Sequence, residues 1–452
     1  MSTKSSAGPK GLPLTGHLLA FRKNPLQFLE QSFREYGELV HLRFGPSRHL
    51  YVLTNPDLIK EVLLTKQQHF RKAKGLQTAK AVVGEGVLTS EGDKHLRQRR
   101  LMQPSFRKDR ISAYGDAMVG HTVRMLDGWN DGQQRVITED MMQLTLDIIT
   151  ETMFGTQLEG GVEEIGKAID IGMKYVSRKA SSIIDLPAGF PSKSNRKFQE
   201  ASKLLNDVIY SIIEERRKRD DGIGEQRKDL LSMLLAARDE DGSAMTDEQI
   251  RDEVMTIFIA GHETTANTLS WTWYLLALNP EAERKFHEEL DTVLKGRIPT
   301  VDDLAKLDYL QLLLWESMRI YPAVWAINRE VVDEVQIGAY TFRPGDTIMM
   351  SQYVMHRNPQ YYEHPEEFRP ERFEGDFLKT IPQFAYFPFG GGPRVCIGNN
   401  FALMEAALVL ATIGQRYKLR LAEGHPPVEL EPLVTLRPKP GLTMVMEARH
   451  RQ

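Results

Sequence analysis

Residues 254–278 are apolar around nearly the whole circumference a helix would present, which limits the folds open to this chain. Thr246 followed by Gln249 forms a capping box, and Asn279-Pro280 supplies a stop. The helix between them would span about thirty residues, or roughly 45–50 Å at 1.5 Å per residue. A helix apolar on all sides has to be wrapped by other elements, so it belongs at the centre of a large body. Gly261, His262, Glu263, Thr264 and Thr265 interrupt the apolar run near its middle. Polar groups there need partners, because an unpaired buried one is costly.

Around that helix, apolar residues recur at helical spacing from about residue 56 to residue 321, as in Met141, Leu144, Thr145, Ile148 and Ile149. Strand-like runs lie outside it. Residues 39–44 and 49–54 flank the turn Gly45-Pro46-Ser47, and further runs stand at 335–337, 347–350 and 442–446. The fold class expected is mostly α, with small β-sheets near both ends of the chain. The polar stretches 219–229 and 188–197 are short and read as surface loops, so residues 1–452 are expected to form a single domain.

The chain has 452 residues and a formal net charge of -3, which gives no reason to invoke nucleic acid as a partner. No internal repeat stands out. The first residues, MSTKSSAGPKGLPLTGH, have neither the apolar core of a signal peptide nor the length of a membrane span. A cytoplasmic protein without a transmembrane anchor is therefore expected, and a single cysteine gives no argument for an oxidising compartment.

That cysteine, Cys396, lies in the glycine-rich segment 389–398, just before a helix expected from about Gly398 to Tyr417. Backbone N–H groups and the dipole at a helix start favour a thiolate, the form that binds metal. The glycines let backbone approach a flat ligand closely, Pro393 restricts the turn, Phe389 can cover the sulfur from water, and Arg394 would point a cation nearby. On composition alone a lone cysteine is more often a small buried hydrophobe. The segment, however, resembles the cysteine loop of the cytochrome P-450 family, F-x-x-G-x-R-x-C-x-G, with Phe389, Gly392, Arg394, Cys396 and Gly398 in place.

The resemblance covers nearly the whole chain and implies haem b (iron protoporphyrin IX) ligated by Cys396, with the long central helix over the haem. It implies a monooxygenase that inserts one oxygen atom from O2 into a lipophilic small molecule by hydroxylation or epoxidation. Electrons would come from NAD(P)H through a separate ferredoxin, flavodoxin or flavin reductase. The helix carrying Lys94, Arg97 and Arg100 is a candidate dock for an acidic carrier. His95 and Arg99, four apart on that helix, would donate to the haem propionates, as would Arg329; many relatives carry tryptophan where His95 stands. Read without the resemblance, the same residues make an ordinary basic helix.

Ala260-Gly261-His262-Glu263-Thr264-Thr265 is similar to the family's oxygen-binding segment. Thr264 would hydrogen-bond dioxygen and Glu263 would relay protons. The structural alternative has Thr264 bonding back to the carbonyl of Ala260. Ala260, Gly261 and Ala402 would adjoin the cofactor, and Leu88, Val324, Trp325, Ile327 and Val434 would wall the substrate pocket. Glu316 and Arg319 resemble the family's E-x-x-R, a structural ion pair locking onto the segment 368–373. The pattern alone is weak, since it recurs at Glu214, Glu248, Glu281 and Glu366, where ordinary helix-surface pairs are expected. Three rival readings are a family member using peroxide directly, a non-catalytic haem sensor and a haem-free helical scaffold. Intact Glu263 and Thr264 argue against the first.

Overall fold

The structure, a computed structural model, describes residues 7–156, 162–180, 192–218, 229–238 and 242–449. The central helix runs Asp247–Leu278, 32 residues, with its capping box formed as the sequence specifies: the Thr246 hydroxyl accepts from the Gln249 N–H, and Gln249 accepts from the Thr246 N–H. Asn279 ends it, and Pro280 opens the next helix, Pro280–Leu294. Helices Ile137–Phe154, Lys193–Lys218, Asp308–Ile320 and Asn399–Arg416 pack around the central one. Their apolar faces merge into one core that includes Leu146, Ile149, Phe258, Leu269, Trp273 and Leu410. No helix among the described residues is long and apolar enough to cross a membrane.

A five-stranded sheet combines both ends of the chain. Its order is Leu39–Phe44, Arg48–Leu53, Thr347–Met350, Ile327–Val331, Phe70–Lys72. The hairpin pairs Leu39 with Leu53, and its second strand runs parallel to the late strand, Leu50 opposite Thr347. Smaller sheets join Gln134–Val136, Thr443–Ala448 and Tyr417–Leu421, and separately Glu429–Pro432 and Leu436–Lys439.

The expected class holds, with local differences. Phe70–Lys72 and Gln134–Val136 interrupt the long helical region, because three residues are too few for any periodicity to register. The stretch 188–197 becomes helical at Lys193: the Ser192 hydroxyl accepts from the Asn195 N–H, a cap hidden in a polar sequence. The rest of that stretch, and 219–228, lie outside the described residues.

Candidate active site

Cys396 is set by backbone. Its N–H donates to the Phe389 carbonyl at 3.0 Å, closing the loop three residues before the helix Asn399–Arg416 starts. Gly392 has φ +65, and a Cβ there would sit 1.9 Å from the Leu63 carbonyl oxygen, so only glycine fits. The sulfur opens into a cavity of about 1740 Å³. Burial pushes the thiol pKa up, against the Gly398 N–H and the Arg99 cation, which both act to lower it. The helix start thus contributes as expected, but burial outweighs it until a metal takes the proton's place.

The cation beside the sulfur is Arg99, which donates to the Val395 carbonyl at 2.8 Å. Arg394, expected in that role, turns instead to Glu91. The sequence put Arg394 in the cysteine loop but could not show that Glu91, 303 residues away, captures it.

One wall of the cavity gathers Lys72, His95, Arg99, Arg329 and Arg394. Burial, then Arg329 and Arg394, holds the Lys72 amine well below its usual range. Arg329 is lowered to about 10 by burial and by Arg394, and His95 to about 3 by burial and then Arg394, Arg99 and Lys72. Glu91 is the carboxylate that Lys72, Arg329 and Arg394 feel, and it is also held by the Lys72 backbone N–H at 2.6 Å, while one Arg394 terminal nitrogen has no partner. Cations that suppress one another's charge in a buried wall fit a ligand bringing carboxylates, and the rest of the space suits a flat apolar disc. The two propionates and macrocycle of haem b meet both demands. Lys72 escaped the sequence reading, since a lysine on a three-residue strand carries no motif.

Above the cysteine, Ala260 and Thr264 of the central helix line the cavity, as do Leu88, Val324, Trp325, Ile327, Phe389, Ala402 and Val434. The Trp325 indole N–H donates to the Leu433 carbonyl at 2.8 Å, fixing that ring. Gly261 does not face the cavity. One residue on from Ala260, it is rotated about 100° around the helix and faces Ile149, where a Cβ would stand 2.8 Å from the Ile149 side chain.

The Thr264 hydroxyl donates to the Ala260 carbonyl at 2.7 Å while lining the cavity, so the back-bonded geometry and the cavity position coexist. Glu263 is almost fully buried. Its Oε1 accepts from the Thr435 hydroxyl and from Arg437 Nε at 2.8 Å, and Arg437 also donates to Asp170 at 2.6 Å. Its Oε2 has no partner. Arg437 and Asp170 were invisible in the sequence, because no local pattern links them to Glu263.

Glu316 and Arg319 are both fully buried and pair at 2.6 Å. Arg319 also donates to the carbonyls of His356, Pro365 and Glu367, and Glu316 accepts from the Arg369 N–H and Arg372, so the pair does lock onto 368–373. Of the other matches only Glu281 with Arg284 is an ion pair within its own motif. Arg217 pairs instead with Asp247 and Glu366 with Arg357, while Arg251 pairs with its chain neighbour Asp252 and donates to Asn206 and the Val82 carbonyl.

Residues 7–445 match the family described as Cytochrome P450. The chain is 35% identical to cyclooctatin synthase of Streptomyces melanosporofaciens over 443 residues, 98% of this chain and 94% of that one. It is 36% identical to cyclooctat-9-en-7-ol 5-monooxygenase of the same organism, covering 93% and 90% of the two chains. Pentalenene oxygenase of Streptomyces avermitilis is 31% identical, covering 96% and 93%. With a cysteine opening into a cavity built for a dicarboxylate disc, and with relatives spanning nearly its full length, this chain belongs to the cytochrome P450 family and is a haem-thiolate monooxygenase.

Proposed function

We propose that the chain oxygenates a compact cyclic terpenoid; Cys396 would be the thiolate that holds the haem iron, and Lys72, His95, Arg99, Arg329 and Arg394 would hold the propionates. The observation that carries this reading is the apolar lobe above the cysteine, formed by Val82, Val83, Val87, Leu88, Met173 and Val176. Among the described residues, these six side chains bring no charge, so a carboxylate tail would find no counter-ion on them. The names of the relatives point the same way, since pentalenene is a hydrocarbon and cyclooctat-9-en-7-ol a monoalcohol. Haem bound at Cys396 supplies reduction of dioxygen and delivery of one oxygen atom to an apolar carbon.

The protein's part is to exclude water and manage protons. Thr264 Oγ, whose own proton is committed to the Ala260 carbonyl, offers a lone pair to a proton donor in the cavity. Glu263 Oε2, unpartnered, takes protons arriving through water and passes them toward Thr264. Electrons come from a separate ferredoxin, flavodoxin or flavin reductase, docking on the basic helix Gly92–Met102. The test is a spectral titration of ferric protein with cyclic terpenes, steroids, polyketides and fatty acids, reading displacement of water from the iron. Cyclic terpenes should give the largest shift; a response confined to fatty acids overturns the reading.

A further inference from the structure

Three consecutive residues near the start of the central helix reach out to one segment of the cavity wall. Arg251 donates to the Val82 carbonyl at 2.9 Å, Asp252 accepts from the Glu85 N–H at 2.7 Å, and Glu253 accepts from the Val87 N–H at 2.8 Å. Val82, Val83, Val87 and Leu88, in or beside that segment, all line the cavity. The fit leaves no slack at Gly86, where a Cβ would lie 2.3 Å from the Thr256 hydroxyl and 2.6 Å from the Asp252 carbonyl oxygen. Glu253 is 0% exposed, and its second oxygen, Oε1, has no partner. A fully buried carboxyl spent on one backbone N–H is costly unless that contact holds the segment in place.

We propose that Glu253 is a positioning residue for substrate selection: it fixes the 82–88 segment so that Val87 and Leu88 present one wall shape to whatever lies above Cys396. The inference deepens the terpenoid reading by naming what shapes the pocket, but the clamp itself stands apart from which substrate fills it. Glu253 lies eleven residues before Thr264 on the same helix, about 16 Å along its axis, so it acts through the wall and touches no reacting atom. Burial raises its pKa to about 8, with Asp252 adding to the rise and Lys94 opposing it. Burial thus favours its neutral form, and glutamine is a close substitute.

The test uses the haem-loaded protein and two azoles that ligate the iron. Imidazole reports access to the iron, while 4-phenylimidazole also presses a ring against the wall. The ratio of their dissociation constants should shift roughly fivefold or more in Glu253→Leu, the equivalent of one lost hydrogen bond, and stay near the parent value in Glu253→Gln. Gly86→Ala, which pushes the segment off the helix without touching Glu253, should shift the ratio in the same way and serves if the leucine variant does not fold. An unchanged ratio in either disrupted variant, or equal loss for both azoles, overturns the clamp. Failure of terpenes to bind while the azole ratio responds overturns only the terpenoid reading.

Discussion

The pair formed by Glu316 and Arg319 allows a quantitative test of how the region behind the cysteine loop is held. Glu316→Leu would leave the Arg319 guanidinium fully buried, still facing the carbonyls of His356, Pro365 and Glu367 but with no counter-charge. Breaking one side of such a pair costs about 3–5 kcal/mol. It also frees the Arg369 N–H and the Arg372 guanidinium, which the same carboxylate accepts. Arg319→Leu leaves the carboxylate unpaired but keeps Arg372 beside it, so its loss should fall toward the lower end of about 3–5 kcal/mol. The double variant leaves neither charge stranded. Its loss should resemble that of one single variant and not the additive sum of about 6–10 kcal/mol, giving a coupling of at least about 3 kcal/mol. Urea unfolding of the four haem-loaded proteins, followed by far-ultraviolet circular dichroism, measures each term. Additive losses would refute the claim that the two charges exist to satisfy each other.

Further outcomes follow from the site. Cys396→Ser should abolish the thiolate-specific absorption band of the reduced carbon monoxide complex; retention of the band removes Cys396 as ligand. Thr264→Ala should bind haem and substrate and consume NAD(P)H while product per NAD(P)H falls about a hundredfold or more and hydrogen peroxide rises; an unchanged ratio leaves only the helix back-bond as its role. Glu253, raised to about 8 from 4.5 by burial, keeps in the folded state a proton the unfolded chain gives up, so its contribution is full below pH 4.5 and lost as pH rises through about 8. Glu253→Gln should accordingly flatten the fall of the urea midpoint across that window, and parallel curves for the two proteins would show that another group sets the slope.

The parts of this molecule visible in its sequence are those whose signal is local. Thr246, Gln249 and Pro280 bracket the central helix because caps and stops act within a turn. The cysteine loop is equally local, and Glu316 could be told from its look-alikes only through its apolar neighbours and the downstream 368–373 segment. What escaped depends on contacts between distant stretches. Lys72 joins the cation wall through a sheet that pairs it with Arg329, and Arg437 reaches Glu263 from a late strand. Gly261 shows the reverse case: a motif names the residue, but the helical twist turns it toward Ile149.

The converging cations also bear on how this protein is made. Before its cofactor arrives, the chain must bring Lys72, Arg99, Arg329 and Arg394 together with Glu91 as the carboxylate near them, against mutual repulsion. A ligand that binds only the folded form stabilises it by mass action, about 2.7 kcal/mol at a hundredfold excess over its dissociation constant. That is a large share of the roughly 5–15 kcal/mol by which native proteins persist. Cellular haem supply would then set how many copies survive proteolysis as well as how many are active, making abundance of the enzyme a readout of iron and porphyrin status.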